Sequence, residues 1–330
     1  MPSPIQTVLA GDVGGTKTLL ALAHWDAGQL CIEREARFIT GDYTALTPMV
    51  REFLAGATPH AACFGLACPI SGRRIKLTNA EFWIDADEIA RDCGIAQVRL
   101  LNDFAAIGYG LDALAAGELE ILQSGTIRPQ APRALLGAGT GLGQAILVWQ
   151  NDRYEVLSTE GGHADFAPVD EMQIELWRAL GAQYGHVSYE RLLSGQGLND
   201  IFHHLAATRS PPSELLAALQ GAADPAAIIS EFGLSRRDSI AEETLELFAR
   251  IYGQQAGNLA LTTLAEGGVY IAGGIAPKLI QLLKAGGFMQ AFRAKGRYRE
   301  WLSGLQVAVV MNPKAGLLGA ALKALAATDK

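Results

Sequence analysis

Two stretches far apart in the chain repeat one pattern. LAGDVGGTKTLLALA (Leu9–Ala23) and LLGAGTGLGQAILVW (Leu135–Trp149) each read as a strand, a glycine turn holding a threonine, and a second alternating apolar strand. A hairpin needs only Asn-Gly or Asp-Gly at its turn, so the extra glycines and polar residues ask for a ligand. Solenoid repeats recur at much shorter spacing, so this duplication implies two related domains. A chain of 330 residues, 49% of them hydrophobic, is long enough to build both cores.

Periodicity fills in the elements. Strands are expected at TVLAGDVG, TLLALAHW and LCIEREARFI, a helix at ALTPMVREFLAGA, and a strand at AACFGLACPI with a turn at Ser71-Gly72. A helix at DADEIARDCG and a strand at QVRLLNDF follow, which makes an α/β unit with a mixed sheet and helices on its faces. After Gly117 the pattern restarts, with RYEVLSTEGG as the third strand of the second unit. From EMQIELWRALGAQYG onward the chain reads as mostly helical, with a long amphipathic helix at RRDSIAEETLELFARIYGQQAGNLALTTL. AATRSPPSELLAALQGAADPAAI reads as a mobile helical insertion without chemistry. GGVYIAGGIAP returns to a strand, and AGLLGAALKALAA closes the chain as a helix.

The glycine turns suit phosphate. Backbone N–H groups converge on an anion where no Cβ blocks the approach, and threonine adds a hydroxyl donor. Asp12, Gly14, Gly15, Thr16 and Lys17 are expected around one end of a polyphosphate, with Asp12 holding Mg²⁺ through water. Gly137, Gly139, Thr140, Gly141 and Gly143 are expected around the other end. Either turn alone reads equally well as a bulged hairpin; the two together favour paired clamps. Gly273 and Gly274, at a strand end, suit an adenine or ribose passing close to the backbone; a plain strand-to-helix turn capped by Pro277 is the alternative. No Walker A sequence is present, and GAGTGLG is followed by a strand rather than the helix of a dinucleotide fold.

Polar residues interrupt the apolar pattern in four more places: Asn102 and Asp103 in RLLNDFAA, Glu160 and His163 in STEGGHADFAP, Glu190 in HVSYERLLSG, and Thr78 and Asn79 in KLTNAEFW. Together they supply the donors and acceptors a sugar ring demands, and a carboxylate beside a hydroxyl is a candidate general base. Taken singly, Asn102 or Glu190 reads as a helix cap or a solvated charge, and His163 as a loop histidine.

The net charge of −7 and the lack of a polybasic run argue against nucleic acid or anionic lipid as a partner. FRAKGRYREW, the densest basic stretch, reads as a solvated face. No signal-peptide pattern opens the sequence and no apolar run reaches the ~18 residues of a membrane span, so a cytoplasmic location is expected. Cys31, Cys63, Cys68 and Cys93 form no C-x-x-C pair and are expected to be free thiols.

GDVGGTKT, ACPISG, LTN, LNDFAA, GAGTGLG, EGGHADFAP, YERLLSGQGL, GNLAL, VYIAGGIAPK and NPKAGLLGAA occur in order along almost the full chain. In these motifs the sequence resembles the bacterial glucokinases of the actin-like ATPase superfamily. The resemblance implies two domains of duplicated ribonuclease H-like fold with an interdomain cleft, binding ATP with Mg²⁺ and D-glucose. It implies a small domain at 1–112, joined by a C-terminal helix at 313–330, and a large one at 113–312. It makes Asp103 the base that takes the proton of the sugar 6-hydroxyl, and Asn102, Glu160, His163 and Glu190 the glucose ligands. Lys17 stands where many members have asparagine; lysine occurs there in the related repressor–kinase group, whose C-x-C-G-x-x-G-C zinc motif is absent. A homodimer is compatible with this reading. A kinase for another hexose, such as N-acetylmannosamine or fructose, and a sugar-sensing regulator without turnover are the competing readings.

Overall fold

The structure, a computed structural model, describes residues 6–77 and 81–327. Thr78 and Asn79 lie outside the described residues. The chain forms two compact units: residues 1–118, 154–158 and 312–330 make the first, and 119–153 with 159–311 the second.

In the first unit, β1 (Val8–Val13), β2 (Lys17–Asp26) and β3 (Gln29–Ile39) run as an antiparallel meander. α1 (Leu46–Leu54) leads to β4 (Ala61–Leu66), and a short hairpin of β5 (Arg74–Lys76) and β6 (Trp83–Asp85) precedes α2 (Ala86–Cys93). β7 (Gln97–Asn102) then runs into α3 (Asp103–Gly110). The sheet order is β3-β2-β1-β4-β7, with β1, β4 and β7 parallel. Asp85 starts α2 by accepting from the Asp87 and Glu88 N–H groups, both at 3.0 Å. One face of the sheet is covered by α12 (Ala315–Leu325), whose Leu317, Ala320, Ala321 and Ala324 are buried with Val8, Ala10, Ala61 and Cys63. Small residues let α12 lie close to α3: a Cβ on Gly319 would fall on the Ala106 carbonyl.

The second unit begins with β8 (Leu119–Gln123), β9 (Arg133–Ala138) and β10 (Leu142–Gln150); β11 (Arg153–Thr159) comes next, its residues 154–158 being those grouped with the first unit. Helices α4 (Glu171–Tyr184), α5 (Gly195–Ala206), α6 (Ser213–Leu219), α7 (Pro225–Leu234) and α8 (Ser239–Thr263) follow. β12 (Val269–Ala272), α9 (Ile280–Lys284), α10 (Gly287–Arg293), α11 (Arg299–Ser303) and β13 (Val307–Val310) complete it. The sheet order is β11-β10-β9-β12-β13-β8, with β9, β12 and β13 parallel. Three antiparallel strands leading into parallel ones, joined in the same spatial order, repeat the first sheet. This is the duplicated α/β fold of the actin-like ATPases.

Two readings of the sequence are corrected here. The Pro- and Ala-rich stretch is packed: its Leu215, on α6, is fully buried in the second core, as are Ile229 and Phe232 just beyond it on α7. FRAKGRYREW is only partly a solvated face, because Phe292 is fully buried and Trp301 packs against the same core. Cys31, Cys63, Cys68 and Cys93 are free, as expected, and burial pushes the Cys63 thiol up to about 12.

Candidate functional site

The first unit gathers its candidate residues at the carboxyl ends of its parallel strands, where open α/β sheets bind ligands. Asp12 pairs in register with Gly65 of β4, and Leu66, the next residue, with Asn102 at the end of β7. Asp12 and Asp103 therefore lie at one sheet edge, two strands or about 10 Å apart. Gly65, between them, leaves room for α3: a Cβ there would sit 2.9 Å from the Ala106 Cβ. β7 stops at Asn102, two residues before the end of the expected strand QVRLLNDF. The Asn102 Oδ1 accepts from the Phe104 and Ala105 N–H groups, at 3.0 and 3.2 Å, which caps α3 and makes Asp103 its first residue. The Cys68 thiol is pushed up by burial first and by the Asp103 carboxylate second, so the two groups are neighbours.

Asp12 and Lys17 flank the first glycine turn, on β1 and β2. The Gly14 N–H closes the turn on the Lys17 carbonyl at 3.0 Å. Gly15 and Thr16 form its exposed tip. Thr40 braces it: its hydroxyl donates to the Gly14 carbonyl at 2.8 Å and its N–H to the Thr16 carbonyl at 3.0 Å. Desolvation pushes the Asp12 carboxyl above the ordinary carboxylate range, with the Lys17 ammonium pulling the other way. A desolvated carboxylate with so little compensation fits a hydrated Mg²⁺ ion brought in with a polyphosphate.

The second glycine turn differs in its parts. Gly137 and Gly143 face each other across β9 and β10, so they are strand residues, and the turn proper is Gly139-Thr140-Gly141. Gly137 is there for packing, since a Cβ on it would lie 2.5 Å from the Ala272 backbone at the end of β12. Gly273 has φ +81°, and a Cβ there would lie 2.5 Å from the Ala138 carbonyl. Gly274, in contrast, has open space where its Cβ would be. The turn is fixed by the Gly139 N–H on the Gly141 carbonyl at 2.8 Å and the Gly195 N–H on the Gly139 carbonyl at 2.9 Å.

Beside this turn two loops zip together. The Phe166 N–H bonds the Val187 carbonyl at 2.9 Å, the Tyr189 N–H the Ala164 carbonyl at 3.0 Å, and the Glu190 N–H the Gly162 carbonyl at 2.9 Å. The zipper brings Glu190 beside Glu160 and His163, which lie close together on the other loop. His163 Nε2 lies 3.8 Å from Glu160 Oε2, and its Nδ1 lies 3.6 Å from Glu190 Oε1. The other Glu190 oxygen, Oε2, accepts from the Leu142 N–H at 2.9 Å, immediately after the glycine turn. An imidazole between two carboxylates presents donors and acceptors at several angles, which is what a polyol needs.

Sequence reasoning missed the braces. Thr40 and Gly195 carry no pattern of their own, because they act through backbone carbonyls and turns. Glu190 was expected as a sugar ligand, but its bond to the second turn was not foreseen.

The residues at 9–327 match the family model described as Glucokinase. The glucokinase of Nostoc punctiforme is 41% identical over 333 residues, covering 96% of this chain and 98% of that protein. Among solved structures, a glucokinase from an Antarctic psychrotroph superposes with a TM-score of 0.85 at 30% identity, covering 97% of this chain and 99% of that one. A ROK family glucokinase from Streptomyces griseus, solved with glucose and AMPPNP, has the same fold at 21% identity and a TM-score of 0.65, covering 97% and 99%. Matches that cover nearly the whole of this chain and of its relative mean that the chain belongs to the glucokinase family.

Proposed function

We propose that the chain transfers the γ-phosphoryl group of ATP to the 6-hydroxyl of D-glucose. The observation that carries this is the arrangement at the first sheet edge, where a carboxylate at the start of α3 shares the strand ends with a glycine hairpin. Asp103 takes the proton of the 6-hydroxyl as that oxygen attacks the γ-phosphorus, and ADP leaves with the bond to its β-phosphate oxygen. Phosphoryl transfer has a loose transition state, so catalysis is mostly positioning and charge stabilisation with one base to orient the hydroxyl. The backbone N–H groups of the two turns hold the phosphates, and Gly273-Gly274 passes close to the nucleoside. Asn102, Glu160, His163 and Glu190 bond the ring hydroxyls; Thr78 and Asn79 belong to the same proposed set. Mg²⁺, when bound through water to Asp12, supplies charge neutralisation at the phosphate oxygens. The Streptomyces griseus relative binds glucose and an ATP analogue, which supports the same pair of ligands here. A cytoplasmic location, where both substrates are present, goes with this reading.

Asp103→Asn keeps the shape of the side chain and removes its basicity. General-base removal costs ~10²–10⁴ in rate, so kcat is expected to fall by that much while glucose affinity changes little. Turnover that survives within a factor of a few, measured beside equilibrium glucose binding, would show Asp103 to be a binding residue only.

A further inference from the structure

Beneath the zipped loops lies a polar chain that the proposed reaction does not use. Asn258, in the GNLAL stretch of α8, donates through Nδ2 to the Tyr189 hydroxyl oxygen at 2.9 Å and to Gln255 Oε1 at 3.2 Å. Lys295 Nζ donates to Asn258 Oδ1 at 2.7 Å. An ammonium can only donate, so Lys295 fixes which way the amide points and leaves its N–H groups to Tyr189 and Gln255.

The arrangement is built at some cost. Lys295 follows α10 and is half-buried, its partner is an amide rather than a carboxylate, and burial pushes its ammonium below the ordinary lysine range. A cation withdrawn from water against a neutral partner is unfavourable unless the contact it makes matters. Gly257 makes room for it: a Cβ there would sit 2.9 Å from Lys295 Cε and 2.5 Å from the Phe292 carbonyl.

Tyr189 is the other end of the chain. It is buried, its ring stands edge-on to Phe166 with centroids 5.5 Å apart, and its backbone N–H bonds the Ala164 carbonyl next to His163. Glu190 is the next residue. The loop that carries His163 and the turn that carries Glu190 are thus both fastened to Tyr189, and Tyr189 is fastened through Asn258 to Lys295.

We propose that Lys295, Asn258 and Tyr189 are positioning residues that hold Glu190 and His163 in register for the sugar. The proposal rests on the reading of those two side chains as glucose ligands. The three residues do not touch substrate; they set where the ligands stand, as outer partners do for a bound ion or substrate.

The experiment compares Tyr189→Phe and Lys295→Met with wild type by steady-state kinetics. Tyr189→Phe keeps the ring and its Phe166 contact and removes one oxygen; Lys295→Met keeps much of the stem and removes the charge. Loss of one buried hydrogen bond in the chain is expected to raise the glucose KM about fivefold, with kcat at saturating glucose and the ATP KM within about twofold. A merely structural role would lower kcat through the folded fraction and leave the glucose KM alone. If Lys295→Met does not fold, Tyr189→Phe decides by itself. Glu190→Ala runs beside them. An unmoved glucose KM in Glu190→Ala overturns the sugar-site reading and the relay with it. A raised KM there, beside wild-type values in Tyr189→Phe and every folded relay variant, overturns the relay alone.

Discussion

The two glycine hairpins have the same backbone plan and different fastenings. The first is held by two threonines of its own unit, Thr18 on β2 and Thr40 just after the end of β3: Thr40 bonds the Gly14 carbonyl, and the Thr18 and Thr40 hydroxyls pair at 3.0 Å, all buried or nearly so. The second is held from outside its sheet, by the Gly195 N–H and by the Glu190 carboxylate on the Leu142 N–H. The first turn is therefore complete without any residue of the proposed sugar set. The second is partly built from one. If Glu190 both bonds glucose and braces the turn, the second hairpin responds to sugar and the first does not.

The largest expected effect that tests this contrast comes from Gly141→Ala. A Cβ at Gly141 would lie 2.5 Å from Glu190 Oε2 and 3.2 Å from its Cδ, so the carboxylate has to move off the Leu142 N–H. Hydrogen bonds to charged groups contribute roughly 1.5–3 kcal/mol, so glucose affinity is expected to drop by about tenfold or more even without nucleotide. Gly15→Ala is the counterpart in the first turn, where a Cβ meets nothing within 4 Å. It is expected to leave glucose affinity at wild type and to alter only nucleotide binding. Calorimetry of glucose alone on both variants checks the contrast, and equal glucose affinities in the two would break it.

How much of this was legible in the sequence follows from the range of the interactions. The hairpins were readable because alternation and glycine are local signals, and the succession of β1, β2, β3, β4 and β7 along the chain was read from the same periodicity. β5, β6, β8 and β13 were not read: they are three to five residues long, too short for a period to emerge, whereas β12, equally short, was marked by the glycines on either side of it. The insertion at 206–228 was read as mobile because it is rich in proline and alanine, yet a few large side chains such as Leu215 carry it into the core. Asp103 was read at a strand end because the apolar run gives way there to Asn102 and Asp103; a cap was only an alternative reading of Asn102, and the helix starting at Asp103 was not legible. Among the site residues, side chains with chemistry stood out, whereas Thr40, Gly195, Asn258 and Lys295 act by fastening other residues and announce nothing locally.

Thr40→Val sharpens the comparison from the other side. The substitution keeps the β-branched shape and removes the hydroxyl, leaving the Gly14 carbonyl and the Thr18 hydroxyl without that partner. A buried polar group left unpaired costs about 1–3 kcal/mol, so the unfolding free energy is expected to fall by that order. In the folded protein the ATP KM is expected to rise about threefold, as the first turn loosens, with the glucose affinity unchanged. Denaturant titration gives the first quantity and steady-state kinetics the second. A change in glucose affinity equal to the change for ATP would mean that the first turn, too, answers to the sugar site.

The smallest expected effect concerns charge, which only the first hairpin carries: Asp12 and Lys17 flank it, whereas GAGTGLG holds no ionisable side chain. The folded protein raises the Asp12 carboxyl by desolvation, so it binds that proton more tightly than the unfolded chain does. By linkage, the stability owed to this group is fully present below the unfolded value of 3.8 and is lost as pH rises through the raised folded value. At neutral pH the ionised carboxylate opposes folding of the ligand-free protein. Asp12→Asn is accordingly expected to raise the melting temperature slightly at pH 7 without nucleotide, and to flatten the acid side of the stability curve. The same variant is expected to lose any added stability that Mg²⁺ with ATP confers on wild type, because the carboxylate whose desolvation opposes folding is the one proposed to hold the ion. Thermal melts at pH 4 to pH 8, with and without Mg²⁺ and ATP, separate the two effects. A variant that melts below wild type at pH 7 in the absence of ligand would show that the Lys17 ammonium compensates Asp12 fully and that the first turn carries no unmet charge.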